Sequence, residues 1–420
     1  MNDNFTTPPD GADNEPRGEV FTEEKAYDPY NDGVSLSSEI LAENKGAFLG
    51  AAPLHYETPQ TYGQRMLSER SLAKTKAAEK LRSVSGYLAL TLMLFLFMRE
   101  GLSMPLSLLA GAIPDKVYTI LTDIFLILQY VAIALPIIIM MTFGKKNKAL
   151  TYFKRPEASG WFIARWSLIA FAVTHITAIA FDVFFQALEQ TRVHINDLSS
   201  PLPSGVTENI LYFIAVVICA PLFEELLFRG ILLTPLTRFG GWFAVSVTAV
   251  LFGLFHMNHA QIFFAIAFGF ALGYADLKAR SIIPSVIAHA AFNGFSFISG
   301  IVASFTNYEE YLENPEVTLT GSPVALALFG IIEAITLVLM LAGSALIIYE
   351  FAINKGRLEL PRGSGILTVK EKLAAVFSHP LMIVYLIIVF GYIMLVSFVD
   401  VAGIAAELDK ILQAYAEVSP

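Results

Sequence analysis

Nine apolar runs, at 84–98, 117–143, 161–188, 207–239, 242–257, 261–277, 282–304, 324–351 and 381–399, leave this chain few ways to fold. Several exceed the roughly 18 residues that can cross a bilayer. Backbone in lipid must satisfy its own hydrogen bonds, which restricts spanning segments to helices and closed barrels. Runs this long are helical. With 55% hydrophobic and 15% charged residues, an ordinary soluble globule is excluded. The expected fold is all-α: a polytopic transmembrane helix bundle of about eight or nine spans with a disordered acidic N-terminal tail. The first run reaches toward 113 if the polar break at Arg99 and Glu100 is bridged, and Pro221 is expected to kink or break the fourth.

The chain divides by composition. Residues 1–63 read as a disordered acidic tail, with eleven Asp and Glu against three Lys and Arg up to Lys45. Such a tail is most simply solvated, and an unknown partner is the alternative. Residues 64–82, with Arg65, Arg70, Lys74, Lys76, Lys80 and Arg82, read as a basic juxtamembrane helix drawn to anionic headgroups. The transmembrane bundle follows over 83–400, and 401–420 form a short C-terminal tail. No apolar stretch opens the chain, so no signal peptide is expected. One cysteine, Cys219, excludes an intrachain disulfide and a cysteine-built metal cage.

Every second loop is basic. Lys and Arg cluster at 145–155, at Arg238, at Lys278 and Arg280, and at 355–372, whereas 306–321 holds four glutamates and no basic residue. The positive-inside rule then predicts a multi-pass protein of the cell membrane with a cytoplasmic N-terminus. Gly269 and Gly273 in the sixth run form a small-xxx-small pattern, whose ordinary meaning is tight helix packing.

Three polar groupings interrupt these runs. Charges at the bilayer centre cost about 2.5–3.5 kcal/mol even on lenient scales, so they pair, face a wet cavity or do chemistry. Glu224, Glu225 and Arg229 come first. Glu225 and Arg229 are i and i+4 with the acid N-terminal, the favourable order for an ion pair. Glu224 is rotated about 100° away, and a desolvated carboxylate without a partner is suited to general-base work. A helix-locking salt-bridge network of all three weighs equally on these residues alone. Phe252 and His256 form the second grouping and His289 and Asn293 the third, each pair one helical turn apart. A lone membrane histidine more often packs than reacts. Depth argues otherwise here: Glu224, His256 and Asn293 each lie roughly 20 Å from the basic end of their helix, and His289 one turn nearer.

Glu224-Glu225-x-x-x-Arg229, Phe252-x-x-x-His256 and His289-x-x-x-Asn293, in that order on successive helices, resemble the motifs of the CPBP family of intramembrane proteases. That family includes type II CAAX prenyl endopeptidases and Abi-like proteins. The resemblance covers about 207–304. It implies a hydrolase with Glu224, His256, His289 and Asn293 as catalytic residues and Glu225, Arg229 and Phe252 as structural support. Glu224 and His256 would activate water, while His289 and Asn293 would support the site or hydrogen-bond an oxyanion. Glu224, His256 and His289 are also the implied zinc ligands, since the family is usually called a metalloprotease. The absence of His-Glu-x-x-His leaves a metal-free glutamate–histidine mechanism as the competitor.

The implied partners are the bilayer and a membrane-associated peptide or protein substrate, prenylated or bacteriocin-like; no nucleic acid is expected. Two other classes compete: a non-proteolytic scaffold, immunity or regulatory protein on the same fold, and a proton-coupled transporter using Glu224 and Glu225. His175, Asp182 and Glu333 match no motif and read as packing or cavity residues, and His259 as a solvated histidine at the membrane edge.

Overall fold

The structure, a computed structural model, describes residues 59–107, 109, 112–143, 154–189, 202, 205–313 and 316–398. The acidic tail up to residue 58, most of the basic loop at 145–155 and the 401–420 tail lie outside the described residues. Among the described residues the elements are helical, with one isolated antiparallel bridge between Thr306 and Gly321. Seven helices among the described residues are long and apolar enough to cross a membrane. The shorter apolar helix Gly241–Phe255 and the 29-residue helix Asp115–Phe143 complete a multi-pass bundle.

The helices are α1 (Pro59–Ser107), α2 (Asp115–Phe143), α3 (Gly160–Glu189), α4 (Val206–Phe239), α5 (Gly241–Phe255), α6 (His259–Ala279), α7 (Ile283–Ala303), α8 (Tyr308–Glu313), α9 (Pro323–Ile353), α10 (Val369–Phe377) and α11 (Pro380–Phe398). The basic stretch 64–82 and the first apolar run are one unbroken helix of 49 residues. Its buried positions Ala77, Leu81, Ser85, Leu88 and Leu92 recur every three or four residues. That stripe receives α10 and α11 through Val376, Met382, Tyr385 and Val389, all fully buried. Gly86 lets His379 approach, since a Cβ there would collide with the imidazole.

Pro221 does not break α4. The chain remains helical through it, with π-helical segments on either side, Ile214–Cys219 and Leu226–Leu233. Proline removes one i→i−4 donor, and widening the preceding turn to i→i+5 absorbs the loss without ending the helix. The carboxylates Glu224 and Glu225 therefore sit on a single α-helical turn, Ala220–Glu225, between two wide ones.

The basic loops touch one another, so they share one end of the bundle. Glu157 binds Lys154 at 2.6 Å and Arg280 at 3.0 Å, stapling the segment before α3 to the α6–α7 turn. The Gly241 N–H donates to Pro361 O, and the Trp242 indole N–H to Leu358 O. Lys372 on α10 reaches Phe239 O, and Lys74 on α1 binds Glu371 at 2.9 Å. From that end α5 runs inward for 15 residues, turns at 256–258, and returns as α6. At about 1.5 Å per residue α5 is only about 22 Å long, shorter than the roughly 30 Å hydrocarbon core. At the turn Met257 adopts φ 52°, and the Asn258 side chain caps α6 by accepting from Ala260 N–H. Non-helical backbone between two apolar helices needs protein or a cavity around it. Close packing of α5 on α6 supplies the protein: a Cβ on Gly269 would stand 3.0 Å from Ala249 Cα, as the glycine spacing predicts.

Candidate active site

Two polar assemblies meet at the middle of α4, one built on Glu225 and the other on Glu224. Glu225 is fully buried, and its Oε2 lies 3.1 Å from Arg229 Nε. Its Oε1 accepts from His289 Nδ1 at 2.8 Å, which ties α4 to α7. The Arg229 guanidinium lies 4.6 Å from the centroid of Phe252 and donates to Gly269 O at 3.4 Å. Phe252 also meets the His289 ring edge-on, and Phe268 does so from α6. The ion pair read from the i,i+4 spacing is present, and His289 belongs to it.

On α6, Asp276 extends the same buried region. Its Oδ1 accepts from Ser285 N–H at 3.1 Å in the first turn of α7. Asp276 is 3% exposed and fixes the start of the helix that carries His289.

Glu224 faces the other way, into a cavity of about 190 Å³ that it shares with His256. Arg99, Gln129, Tyr130 and Gln261 supply the rest of its polar lining. The Tyr130 hydroxyl is placed to donate to the Glu224 carboxylate. Glu224 Oε2 is buried and has no hydrogen-bond partner among the described residues. His256 caps α5, and its Nδ1 lies 2.9 Å from Phe252 O. A carbonyl can only accept, so Nδ1 carries the proton, and in the neutral ring Nε2 is left as an acceptor. Arg99 closes the same helix end by donating from Nη1 to Phe255 O at 3.3 Å. One unsatisfied carboxylate oxygen and one acceptor ring nitrogen thus line the same small space beside four donor side chains.

Asn293 stands apart. Its Nδ2 donates to Val216 O at 2.7 Å, and it does not line the cavity. Val216 lies in the π-helical segment before Pro221, where widened turns offer a carbonyl to an outside donor. The structure therefore joins Glu224 with His256, and Glu225 with Arg229, Phe252 and His289, while Asn293 braces α4 against α7.

A zinc site of Glu224, His256 and His289 is half supported by donor chemistry. A histidine that donates from Nδ1 to an acceptor presents Nε2 in the form a metal needs, and both histidines do so. The geometry does not follow: among the described residues no group of three or more His, Cys, Asp or Glu side chains comes together to hold a metal ion.

Arg99, Gln129, Tyr130 and Gln261 escaped the sequence reading. Only Arg99 left a signal, as a cation interrupting an apolar run. His259 is half-buried and hydrogen-bonded to Ser397 Oγ at 2.8 Å, an interhelix tie to α11 in place of the solvated histidine expected. His175 and Glu333 do line a cavity, a separate one.

Residues 206–295 match the family model for Rce1-like proteins, type II CAAX prenyl endopeptidase Rce1-like. This segment is similar to an Rce1-like domain. The match runs from the start of α4 to two residues beyond Asn293, so it takes in all three motifs and stops short of α1 to α3 and α8 to α11. No curated protein and no solved structure matches the chain. The family it resembles is that of the CAAX-type endopeptidases, and the chain is an integral, multi-pass membrane protein.

Proposed function

We propose that this protein is an intramembrane endopeptidase in which Glu224 and His256 activate water without a metal ion. The observation that carries the reading is their convergence, from α4 and the α5–α6 turn, on one small cavity within the helix bundle. Water in that cavity donates to the unsatisfied Glu224 Oε2, which takes its proton as the oxygen attacks the scissile carbonyl. His256 Nε2 accepts the second hydrogen bond and orients the attacking lone pair. Tyr130, Gln129 and Arg99 are the donors within reach of the developing oxyanion. Glu224 then returns the proton to the leaving amine, so that carboxylate and water balance over the cycle.

His289 and Asn293 serve by holding α4, α7 and the π-helical turn in register, and His289 keeps Nε2 available beside the site. The substrate is a membrane-associated peptide or protein segment, prenylated or bacteriocin-like, because a cavity within this helix bundle admits a chain already in the bilayer. The protein sits in the cell membrane with its basic loops and N-terminus cytoplasmic.

The test compares new protein N-termini in membranes from cells carrying the wild-type chain and cells carrying Glu224→Gln. Peptides produced only by the wild type are expected. Identical sets would remove the protease reading in favour of a non-proteolytic scaffold. For one identified substrate, cleavage by the purified protein should persist in excess chelator; its loss, with recovery on adding zinc, would replace the metal-free mechanism.

A further inference from the structure

A second and larger cavity, of about 600 Å³, opens between α3, α7 and α9. It falls within the roughly 300–1,000 Å³ of small-molecule sites. Nothing in the proteolytic reading uses it, and α9, which supplies Glu333, lies outside the segment similar to an Rce1-like domain.

Its walls have a definite chemistry. Phe295, Phe329, Leu337 and Met340 make most of the lining apolar; His175, Glu333 and Tyr308 are the titratable side chains among its described lining residues, which include no lysine or arginine. His175 Nδ1 lies 3.0 Å from Phe171 O, so its proton is there and Nε2 is an acceptor. Tyr308 and Phe329, both lining residues, lie tilted against one another with centroids 4.8 Å apart. Glu333 acts electrostatically on both His175 and Tyr308, and Asp182 adds a second negative charge near Tyr308. A carboxylate, an imidazole acceptor and aromatic faces attract a cation and repel an anion.

Position selects the kind of cation. Leu337 on the rim is 56% exposed, and Ile331, Ile335 and Val338 beside it are also exposed, so the opening faces lipid. Glu333 lies ten residues into α9, which is 31 residues long. That is about 15 Å along a helix of about 46 Å, so centring the helix on a roughly 30 Å core puts Glu333 about 7 Å below the boundary. An acyl chain against the apolar wall would bring a lipid headgroup to that depth.

We propose that the α3–α7–α9 cavity binds a membrane lipid whose headgroup carries an ammonium group, with Glu333 as counter-ion and His175 Nε2 as hydrogen-bond acceptor. The test is native mass spectrometry of the full chain in neutral detergent with an equimolar mixture of phosphatidylethanolamine and phosphatidylglycerol of identical acyl chains. The wild type should retain the ethanolamine lipid about fivefold over the glycerol lipid, the size of one half-exposed charge pair. Glu333→Gln should bring the ratio to one, and Ser299→Leu, which fills the cavity, should reduce both adducts together. Equal retention by the wild type, preference for the anionic lipid, or an unchanged ratio in Glu333→Gln would each overturn the assignment. Because neither variant touches Glu224 or His256, cleavage activity reports separately on the protease reading.

Discussion

Glu224 and Glu225 are neighbours in the chain with opposite surroundings. Glu225 is enclosed by Arg229, His289 and the Phe252 ring, with an ion pair on one oxygen and a hydrogen bond on the other. Glu224 opens on a cavity with one oxygen unsatisfied. The difference follows from helix geometry: a step of one residue turns a side chain by about 100°. One carboxylate meets α6 and α7, and the next meets α1, α2 and the end of α5. A carboxylate held between a guanidinium and an imidazole has little left to react with, whereas one that faces a cavity can take a proton from water.

The largest expected effect breaks the reactive side alone. Glu224→Gln should lower peptide cleavage by about a thousandfold, within the range of one general base, while the purified protein elutes as a folded monodisperse species. Cleavage retained by this variant would move the chemistry elsewhere. Arg229→Met should do the converse, leaving Glu225 buried without its cation at a cost of about 3–5 kcal/mol. Folded yield and thermal midpoint in detergent should fall, and unchanged values would show that the pair does not hold the bundle.

Asn293 probes the boundary between the two assemblies. Asn293→Ala removes the bond to Val216 O and should cost about 1 kcal/mol of stability, in line with interhelix hydrogen bonds in membranes. A drop in cleavage far beyond that, with stability intact, would place its amide in the chemistry.

The smallest effect lies outside the membrane. Donation from Thr368 N–H first, then the Lys74 ammonium, holds the Glu371 carboxyl down at about 2, against an ordinary 4.5. A depressed acid stabilises the folded form fully above its ordinary value and loses that contribution as pH falls toward the lowered one. Docking of α10 on α1 should therefore be constant down to about pH 4.5 and weaken between there and about pH 2. Amide exchange across α10 reads this directly, and Glu371→Gln should abolish the pH dependence.

Several parts of this molecule could be read from residues alone. Long apolar runs require helices, alternating basic loops place the turns, and the i,i+4 spacing of Glu225 and Arg229 announces their pair. Gly269 and Gly273 announced the close contact of α5 and α6 in the same local way. The partners across helices were not legible. His289 shares no local period with Glu225, 64 residues away, and the sequence reading assigned it to Glu224. Arg99 and Tyr130 belong to helices without a motif, yet they line the cavity.

Sequence by itself determined a membrane-spanning helical bundle and the polar groups that it carries at depth. Helix periodicity is a short-range property, written into three or four successive residues. Which carboxylate is enclosed and which is open depends on how α4 is rotated against α1, α2 and α7. That rotation is set by side-chain packing between helices and by π-helical turns on either side of Glu224 and Glu225. Only the tertiary structure decided it.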